Sequence, residues 1–225
     1  MIVIPAAGEG RRFREAGYDG PKHMLPVLGV PMIHRVRENV RPLDQDGDCL
    51  VVAQDFVGKT RGAIDTILRG IARYESLMPG RFDPHESLVV ANCDQLLLLP
   101  AIKGGWGNGL IFTFRSANTA HSYVSTDRHG RIQGIVEKPT SVDPSWQAVS
   151  GVYAFTQALP FLDACRAVDD AHQGAEQYLS AAIGVMIAEG YVLYAVDAPT
   201  AILGTPEDFQ RFETAARVVR ELESA

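Results

Sequence analysis

The sequence predicts an α/β protein with a mixed, mostly parallel sheet. Short apolar runs of strand length alternate with amphipathic stretches, which is the rhythm of βαβ units. The apolar runs lie at 2–6, 49–54, 87–94, 109–116, 122–127, 130–138, 150–155 and 191–197. Apolar residues at helical spacing predict helices at 30–40, 60–74, 175–189 and about 206–223. Because 46% of the 225 residues are hydrophobic, the chain can bury one substantial core, and we expect a single domain over residues 1–225.

Charge and cysteine content restrict the class of protein. The formal net charge of −6 argues against nucleic acid as a partner, because such binding depends on neutralising phosphates. Cys49, Cys93 and Cys165 show neither zinc-binding spacing nor a disulfide framework, so we expect small buried hydrophobic side chains. The chain has no run of about 18 apolar residues and no signal-peptide pattern. We therefore expect a cytoplasmic protein with no membrane partner.

The first 28 residues carry the clearest chemical signal. A predicted strand runs into a turn with Gly8 and Gly10, followed at once by Arg11 and Arg12, and Lys22 comes ten residues after Arg12. Glycines let backbone N–H groups approach phosphate oxygens closely. Arginine binds phosphate as a bidentate fork and lysine as a point charge. This combination predicts a binding loop for a nucleoside triphosphate (NTP).

Two other phosphate-binding motifs fit this chain less well. A dinucleotide fingerprint, G-x-G-x-x-G, would need a third glycine where Phe13 stands. Residues 53–60 end in Gly58-Lys59-Thr60 after a predicted strand, as a P-loop does. However, Ala53 occupies the first glycine position of that motif, and Asp55 would place a negative charge among the phosphates. The alternative from the residues alone is that 60–63 form an ordinary start of a helix.

The first loop resembles the signature of the sugar-phosphate nucleotidyltransferases: a strand, G-x-G-x-R-[LF], then P-K, then an apolar-Pro-apolar step. The chain has residues 8–13 as GEGRRF, Pro21-Lys22, and Leu25-Pro26-Val27. The resemblance implies a Rossmann-like, GT-A type nucleotidyltransferase domain. The implied reaction moves a nucleoside monophosphate from an NTP to a sugar 1-phosphate or similar small phosphorylated acceptor, and pyrophosphate is released. The pair Gly17-Tyr18, which precedes Pro21-Lys22, resembles the sequence at this point in the branch of the family that serves bacterial capsule and surface-glycan pathways.

The resemblance also implies roles for residues at the nucleotide. Arg12 would bind the β- and γ-phosphates, and Lys22 would stabilise charge at the α-phosphate. Asp94 follows an apolar strand, and a carboxylate at a strand's carboxyl end is placed to hold the cofactor Mg²⁺. The expected catalytic residues are therefore Arg12, Lys22 and Asp94. The expected nucleotide-binding residues are Ala6, Ala7, Gly8, Gly10, Arg11, Arg12, Lys22, Gly62 and Ala63.

A second set of residues matches the family's acceptor site. The triplet Glu137-Lys138-Pro139 closes a predicted strand, and the resemblance implies that Glu137 binds sugar hydroxyls and Lys138 the sugar phosphate. Gly151 fits a strand position where a side chain would collide with bound sugar. Glu176 matches a family acid at a helix start, although a capping role there is equally consistent with the sequence.

The end of the chain departs from the family's pattern. Two residues before the Gly-Thr-Pro that starts the last helix, the family usually has a metal-binding aspartate, but this chain has Ile202. Either Asp94 is the one protein carboxylate of the metal site, or the protein binds nucleotide or nucleotide sugar without catalysis. A glycosyltransferase is a third interpretation, for which Asn92-Cys93-Asp94 is only a partial D-x-D motif. The sequence does not determine the nucleobase of the NTP, the identity of the acceptor or whether the protein forms a homo-oligomer.

Overall fold

The structure, a computed structural model, describes residues 1–102, 105–171 and 177–223. Within these ranges the chain forms twelve strands and seven helices. The strands are β1 (Ile2–Ala6), β2 (Pro26–Val27), β3 (Val30–Pro31), β4 (Cys49–Ala53), β5 (Leu88–Ala91), β6 (Gln95–Leu97), β7 (Gly109–Phe114), β8 (Ser122–Thr126), β9 (Ile132–Glu137), β10 (Gln147–Phe155), β11 (Leu193–Asp197) and β12 (Thr200–Ile202). The helices are α1 (Arg11–Glu15), α2 (Met32–Val40), α3 (Gln54–Val57), α4 (Ala63–Leu77), α5 (Ala158–Ala171), α6 (Leu179–Ala188) and α7 (Pro206–Glu223).

An eight-stranded sheet forms the centre of the described structure. Its order is β11-β7-β10-β5-β1-β4, with β8 paired to β10 and β9 to β8. The pairs β1–β4, β1–β5 and β7–β11 are parallel, whereas β10 runs antiparallel to both β5 and β7. Five of the six strands along this path therefore point the same way, which confirms the predicted mixed, mostly parallel sheet.

The strand order places a crevice at the carboxyl end of β1. The strands β4 and β5 both follow β1 in the chain, but they pair with its opposite edges. In open α/β sheets, ligands bind beyond the carboxyl ends of strands where the order diverges in this way. The glycine turn leaves β1 at this edge, and the segment that contains Asp94 leaves β5 at the same edge. The fold thus brings together two motifs that lie about 80 residues apart in sequence.

The two faces of the sheet are covered by separate apolar clusters. On β1, Ile2 and Ile4 belong to the cluster that includes Val36 of α2, whereas Val3 belongs to the cluster that includes Ile67 of α4 and Phe161 of α5. This alternation is the two-residue period of a strand buried on both faces. Burying a side chain of this size stabilises the fold by about 1.5–3 kcal/mol, so β1 is firmly anchored beneath the crevice.

The predicted strands are confirmed, while several helix boundaries differ. The helix predicted over 60–74 spans Ala63–Leu77, because Gly62 is held in an extended bridge with Gln177. The helix predicted over 30–40 begins at Met32, after the short strand Val30–Pro31. The helix predicted over 175–189 spans Leu179–Ala188, and residues 172–176 lie outside the described residues. The final helix, Pro206–Glu223, has its predicted bounds.

Helix α5 is an element that the sequence analysis does not assign. Its buried residues Ala158, Phe161, Leu162 and Cys165 lie at helical spacing, so the periodic signal is present in the sequence. Pro160 occupies the first turn, where proline is tolerated because the N–H groups there lack intrahelical partners. Among the described helices, none is both long and apolar enough to cross a membrane.

Candidate active site

A cleft of about 840 Å³ opens at the carboxyl ends of β1 and β5. Its walls come from the glycine turn after β1, the segment before α4, and the residues after β5. The structure brings together in this cleft every residue expected to bind nucleotide: Ala6, Ala7, Gly8, Gly10, Arg11, Arg12, Lys22, Gly62, Ala63 and also Asp94. These side chains and backbone segments form one continuous surface of a size that suits a nucleotide.

The glycine turn is fixed by packing beneath it. Gly10 has a φ of 59°, and a Cβ there would stand 3.1 Å from Cβ of Lys22, so glycine suits both the conformation and the space. Phe13 is buried and makes edge-on ring contacts with Tyr18 and Phe209. Phe13 thereby anchors α1 to the core, while its neighbour Arg12 is exposed and lines the cleft. Arg12 forms no ion pair with another described residue.

Lys22 and Asp94 form a direct ion pair at the floor of the cleft. Their side chains are 17% and 19% exposed, and Lys22 Nζ also lies 3.5 Å from the carbonyl oxygen of Gly204. Burial is the largest single influence on the pKa of Lys22 and lowers it, but the charge and hydrogen bond of Asp94, together with Cys93, outweigh burial, so the pKa lies above its ordinary value. The ammonium is therefore charged at neutral pH and available to neutralise a phosphate.

The opposite wall of the cleft is the segment from Lys59 to Gly62. Gly62 has a φ of 142°, and a Cβ there would lie 2.6 Å from the carbonyl oxygen of Gln177. Only glycine fits this close approach of two backbones, which starts α4 and ties it to the residues before α6. Lys59 Nζ reaches across the cleft to Glu9 Oε1 at 2.8 Å, so an ion pair joins the two walls.

A second pocket of about 230 Å³ adjoins the cleft and shares Ala63 and Asn92 with it. Glu137 and Gly151 line this pocket, as expected for acceptor-binding residues. Ser122 and Ser180 donate hydrogen bonds to the same carboxylate oxygen of Glu137, Oε2, at 2.5 and 2.7 Å. These two bonds fix the carboxylate while its other oxygen, Oε1, makes no hydrogen bond to a described residue.

Gly151 is required by the protein itself. Its φ is 82°, at an irregularity in the pairing of β10 with β7, and its carbonyl accepts a hydrogen bond from the Asn92 N–H at 2.9 Å. A Cβ at this position would overlap the side-chain amides of Asn92 and Gln95. The expected reason for this glycine is that a side chain would collide with bound sugar, whereas the structure shows that the neighbouring amides already exclude a side chain.

Lys138, which the sequence predicts to bind the acceptor, does not itself line the second pocket but contacts Tyr178, which does. Lys138 has a φ of 43°, which is unusual for a residue with a side chain. Its Nζ donates to the hydroxyl of Tyr178 at 2.7 Å and lies 4.0 Å from the centre of that ring. The charge of Lys138 is therefore separated from the pocket by the side chain of Tyr178. Glu176, the remaining residue expected at the acceptor, lies outside the described residues.

The second pocket also contains residues that the sequence analysis does not identify. They are Asn92, Gln95, His121, Ser122, Gln177, Tyr178 and Ser180. The Oε1 atoms of Gln95 and Gln177 are buried, and neither has a hydrogen-bond partner among the described residues. Burial lowers the pKa of His121, which keeps its imidazole neutral near pH 7. These residues come from three stretches that lie far apart in the sequence, at 92–95, 121–122 and 177–180, so no local motif predicts them.

The carboxylate set near the cleft is small. In the part of the chain that the structure describes, no group of three His, Cys, Asp or Glu side chains could hold a metal ion. Ile202 pairs with Gln95 across β12 and β6, directly beside Asp94, and it offers no ligand. Burial raises the pKa of the Cys93 thiol to about 12, so Cys93 is not a thiolate ligand at neutral pH.

Known proteins share this architecture. A family model described as nucleotidyl transferase matches residues 107–216. The chain is 26% identical, over its whole length and 99% of the relative, to UTP–glucose-1-phosphate uridylyltransferase AglF of Haloferax volcanii. The resemblance to the sugar-phosphate nucleotidyltransferases is confirmed. The match to the Haloferax relative covers the whole chain, and the family model covers residues 107–216.

Two solved structures confirm the nucleotidyltransferase fold. The nucleoside-diphosphate-sugar pyrophosphorylase of Vibrio cholerae RC9 superposes with a TM-score of 0.80 at 20% identity, over 95% of this chain and all of that chain. A UDP-glucose pyrophosphorylase complexed with UDP-glucose gives a TM-score of 0.73 at 18% identity, over 96% of this chain and 97% of that chain. At these identities the likeness establishes the fold alone.

Proposed function

We propose that this protein moves a nucleoside monophosphate from an NTP to a sugar 1-phosphate or similar small phosphorylated acceptor. The observation that carries the proposal is the junction of two cavities. The cation-lined cleft and the pocket that holds Glu137 share Ala63 and Asn92. A triphosphate in the cleft and an acceptor in the pocket would meet at this junction. The similarity to a UTP–glucose-1-phosphate uridylyltransferase supports the same reaction.

The chemistry follows from the charges around the junction. An oxygen of the acceptor phosphate attacks the α-phosphorus in line, and the bond from that phosphorus to the bridging oxygen of pyrophosphate breaks. The attacking oxygen is already ionised, so the reaction needs no general base. Lys22 would neutralise charge at the α-phosphate, Arg12 would bind the departing pyrophosphate, and Lys138 would hold the acceptor phosphate. Catalysis is then a matter of positioning and charge stabilisation.

We infer that Mg²⁺ is the cofactor and that Asp94 is its protein ligand. Mg²⁺ is commonly bound by one or two carboxylates together with substrate phosphates, so the single carboxylate of Asp94 fits an ion delivered with the triphosphate. When bound, Mg²⁺ would neutralise negative charge on the phosphates. Asp94 is paired with Lys22, so the carboxylate that would hold the ion lies directly beside the cation that would meet the α-phosphate.

Cellular placement and pathway are part of the same proposal. The proposed enzyme would make nucleotide sugars in the cytoplasm. A role in capsule or surface-glycan biosynthesis remains a prediction based on Gly17-Tyr18.

Ile202 supports a second candidate function, that of a protein which binds nucleotide or nucleotide sugar without catalysis. With Ile202 beside Asp94, the site has one acid where two would hold a metal more tightly. This candidate predicts nucleotide binding without pyrophosphate release.

A pyrophosphate-release screen distinguishes the two functions. The four NTPs are crossed with sugar 1-phosphates and other small phosphorylated acceptors, with Mg²⁺ and with EDTA. We expect release with one NTP–acceptor pair and loss of release in EDTA. NTP binding by calorimetry without release for any pair would instead support the binding protein.

A further inference from the structure

Lys59 is a cleft residue that the proposed chemistry does not use. It belongs to the Gly58-Lys59-Thr60 segment, which has the sequence of a P-loop end but follows α3 and precedes the extended Gly62. Lys59 lines the cleft on the wall opposite the glycine turn. Its side chain is 77% exposed, so the long stem can move without disturbing the core.

Glu9 is the second unexplained residue, because it places a negative charge inside a predicted phosphate-binding loop. It stands between Gly8 and Gly10 and lines the same cleft. Its Oε1 binds Lys59 Nζ at 2.8 Å, and its Oε2 lies 4.0 Å from Arg14. The hydrogen bond and charge of Lys59 lower the pKa of Glu9, so its carboxylate is ionised at neutral pH. A triphosphate entering the turn would be repelled by this carboxylate.

The cations of the cleft differ in how easily they can be released. Lys22 is paired with Asp94 at the buried floor, and Arg61 is held by Asp169 at 2.6 Å. The Lys59–Glu9 pair is exposed on both sides and spans the opening. An exposed ion pair is weakened by water and salt, and a triphosphate offers Lys59 a greater negative charge than one carboxylate does. We therefore expect Lys59 to leave the Glu9 carboxylate and bind the triphosphate when one enters the cleft.

We propose that Lys59 is a triphosphate-binding residue, which Glu9 holds at the cleft until the nucleotide displaces the carboxylate. This inference rests on the proposed function, because it assumes that an NTP occupies the cleft. The exposed end of the cleft, where Lys59 and Glu9 meet, would then receive the phosphate tail. The pair keeps Lys59 beside the glycine turn in the free protein, and Lys59 turns to the phosphates when they arrive.

Two variants test the proposal, because they are expected to change NTP affinity in opposite directions. In Lys59→Met, the Kd for the NTP should rise about tenfold, while the Kd for the matching nucleoside monophosphate stays within about twofold. In Glu9→Gln, which removes the repulsion and frees Lys59, the Kd for the NTP should fall about threefold. Both constants are measured by calorimetry on the full chain, using the NTP that supports pyrophosphate release.

A matched control is available on α5. Arg166 pairs with Asp163 at 2.6 Å, both side chains are more than half exposed, and neither lines the cleft or the second pocket. Arg166→Met should leave the NTP affinity unchanged. Thermal unfolding of all three variants checks that each is folded, since losing an exposed ion pair costs little stability.

The outcomes separate this inference from the proposed function. If the wild-type protein binds no NTP, both are overturned. If it binds NTP and Lys59→Met binds NTP equally well, the role of Lys59 is overturned while the proposed function stands. If Glu9→Gln weakens NTP binding, Glu9 contributes to binding directly and the displacement is wrong.

Discussion

The cleft and the second pocket lie side by side but are lined by different kinds of group. The cleft is lined by cations, several of them exposed, in ion pairs that a more highly charged ligand can replace. The pocket is lined by amides and hydroxyls around one carboxylate, Glu137, that two serines hold in place. Phosphates of any nucleotide can be held by charge, whereas an acceptor must be recognised through directed hydrogen bonds.

This difference indicates how the two halves should respond to change. In the cleft, loss of a cation should reduce transition-state stabilisation. In the pocket, loss of a hydrogen-bonding group or of space should mainly affect the acceptor, because buried polar atoms left without partners are costly. Variants in one cavity should therefore leave the binding constants of the other nearly unchanged.

Lys22 should show the largest effect. We expect Lys22→Met to reduce kcat for pyrophosphate release by about 10²–10³-fold, because a preorganised charge at the reacting phosphate is lost. The variant should remain folded, since Asp94 is partly exposed and can be hydrated. Steady-state kinetics and thermal unfolding measure both properties. Turnover equal to that of the wild type in the folded variant would contradict the assignment of Lys22.

Glu137 should show the next largest effect, confined to the acceptor. Glu137→Gln should raise the acceptor KM about 10–100-fold, because a hydrogen bond to a charged group is lost, while the KM of the NTP stays within about twofold. Ser122→Ala should act in the same direction but more weakly, because Ser180 still holds the carboxylate. An equal change in both KM values would show that the two cavities are not separate.

A substitution at Gly151 tests whether the side chains of Asn92 and Gln95 leave room for a side chain in the pocket. Gly151→Ala should lower the free energy of unfolding by about 1–2 kcal/mol, because alanine is strained at the positive φ of this position. Displacing the side chains of Asn92 and Gln95 should cost about 1–3 kcal/mol more. Gly190→Ala is the matched control, because Gly190 has a φ of 88° and nothing within 4 Å of its added Cβ. Denaturant unfolding should therefore show a clearly smaller loss for Gly190→Ala. Equal losses would mean that the two amides do not constrain position 151.

The smallest expected effect is a dependence of stability on pH. Burial lowers the pKa of His23 in the cleft and of His121 in the pocket below the ordinary value of 6.5. The stability associated with these two neutral histidines is fully present above pH 6.5. It is lost as the pH falls toward their pKa in the folded protein, because the unfolded chain then binds more protons than the folded protein does. The melting temperature should fall less between pH 7 and 5.5 in His23→Gln/His121→Gln than in the wild type. The exposed His85→Gln is the control, and an unchanged pH dependence in the double variant would contradict the burial argument.

The sequence predicts the cleft far better than the pocket, and the reason is physical. Phosphate binding needs glycines and cations close together in one turn, so Gly8, Gly10 and Arg12 form a local motif that the structure places as expected. The pocket draws Gln95 and Gln177 from segments more than 80 residues apart, and only the sheet order brings them together. The start of α4 was predicted three residues early, because the bridge from Gly62 to Gln177 is a tertiary contact.

One measurement tests the meeting of the two cavities most directly. The protein is incubated with an NTP labelled at the α-phosphate, in parallel with the same NTP labelled at the γ-phosphate, and with the sugar 1-phosphate that supports turnover. We predict that the α-label moves into a product that also contains the acceptor, while the γ-label leaves as pyrophosphate. Release of the α-label as free nucleoside monophosphate, or NTP binding with no movement of either label, would contradict the account.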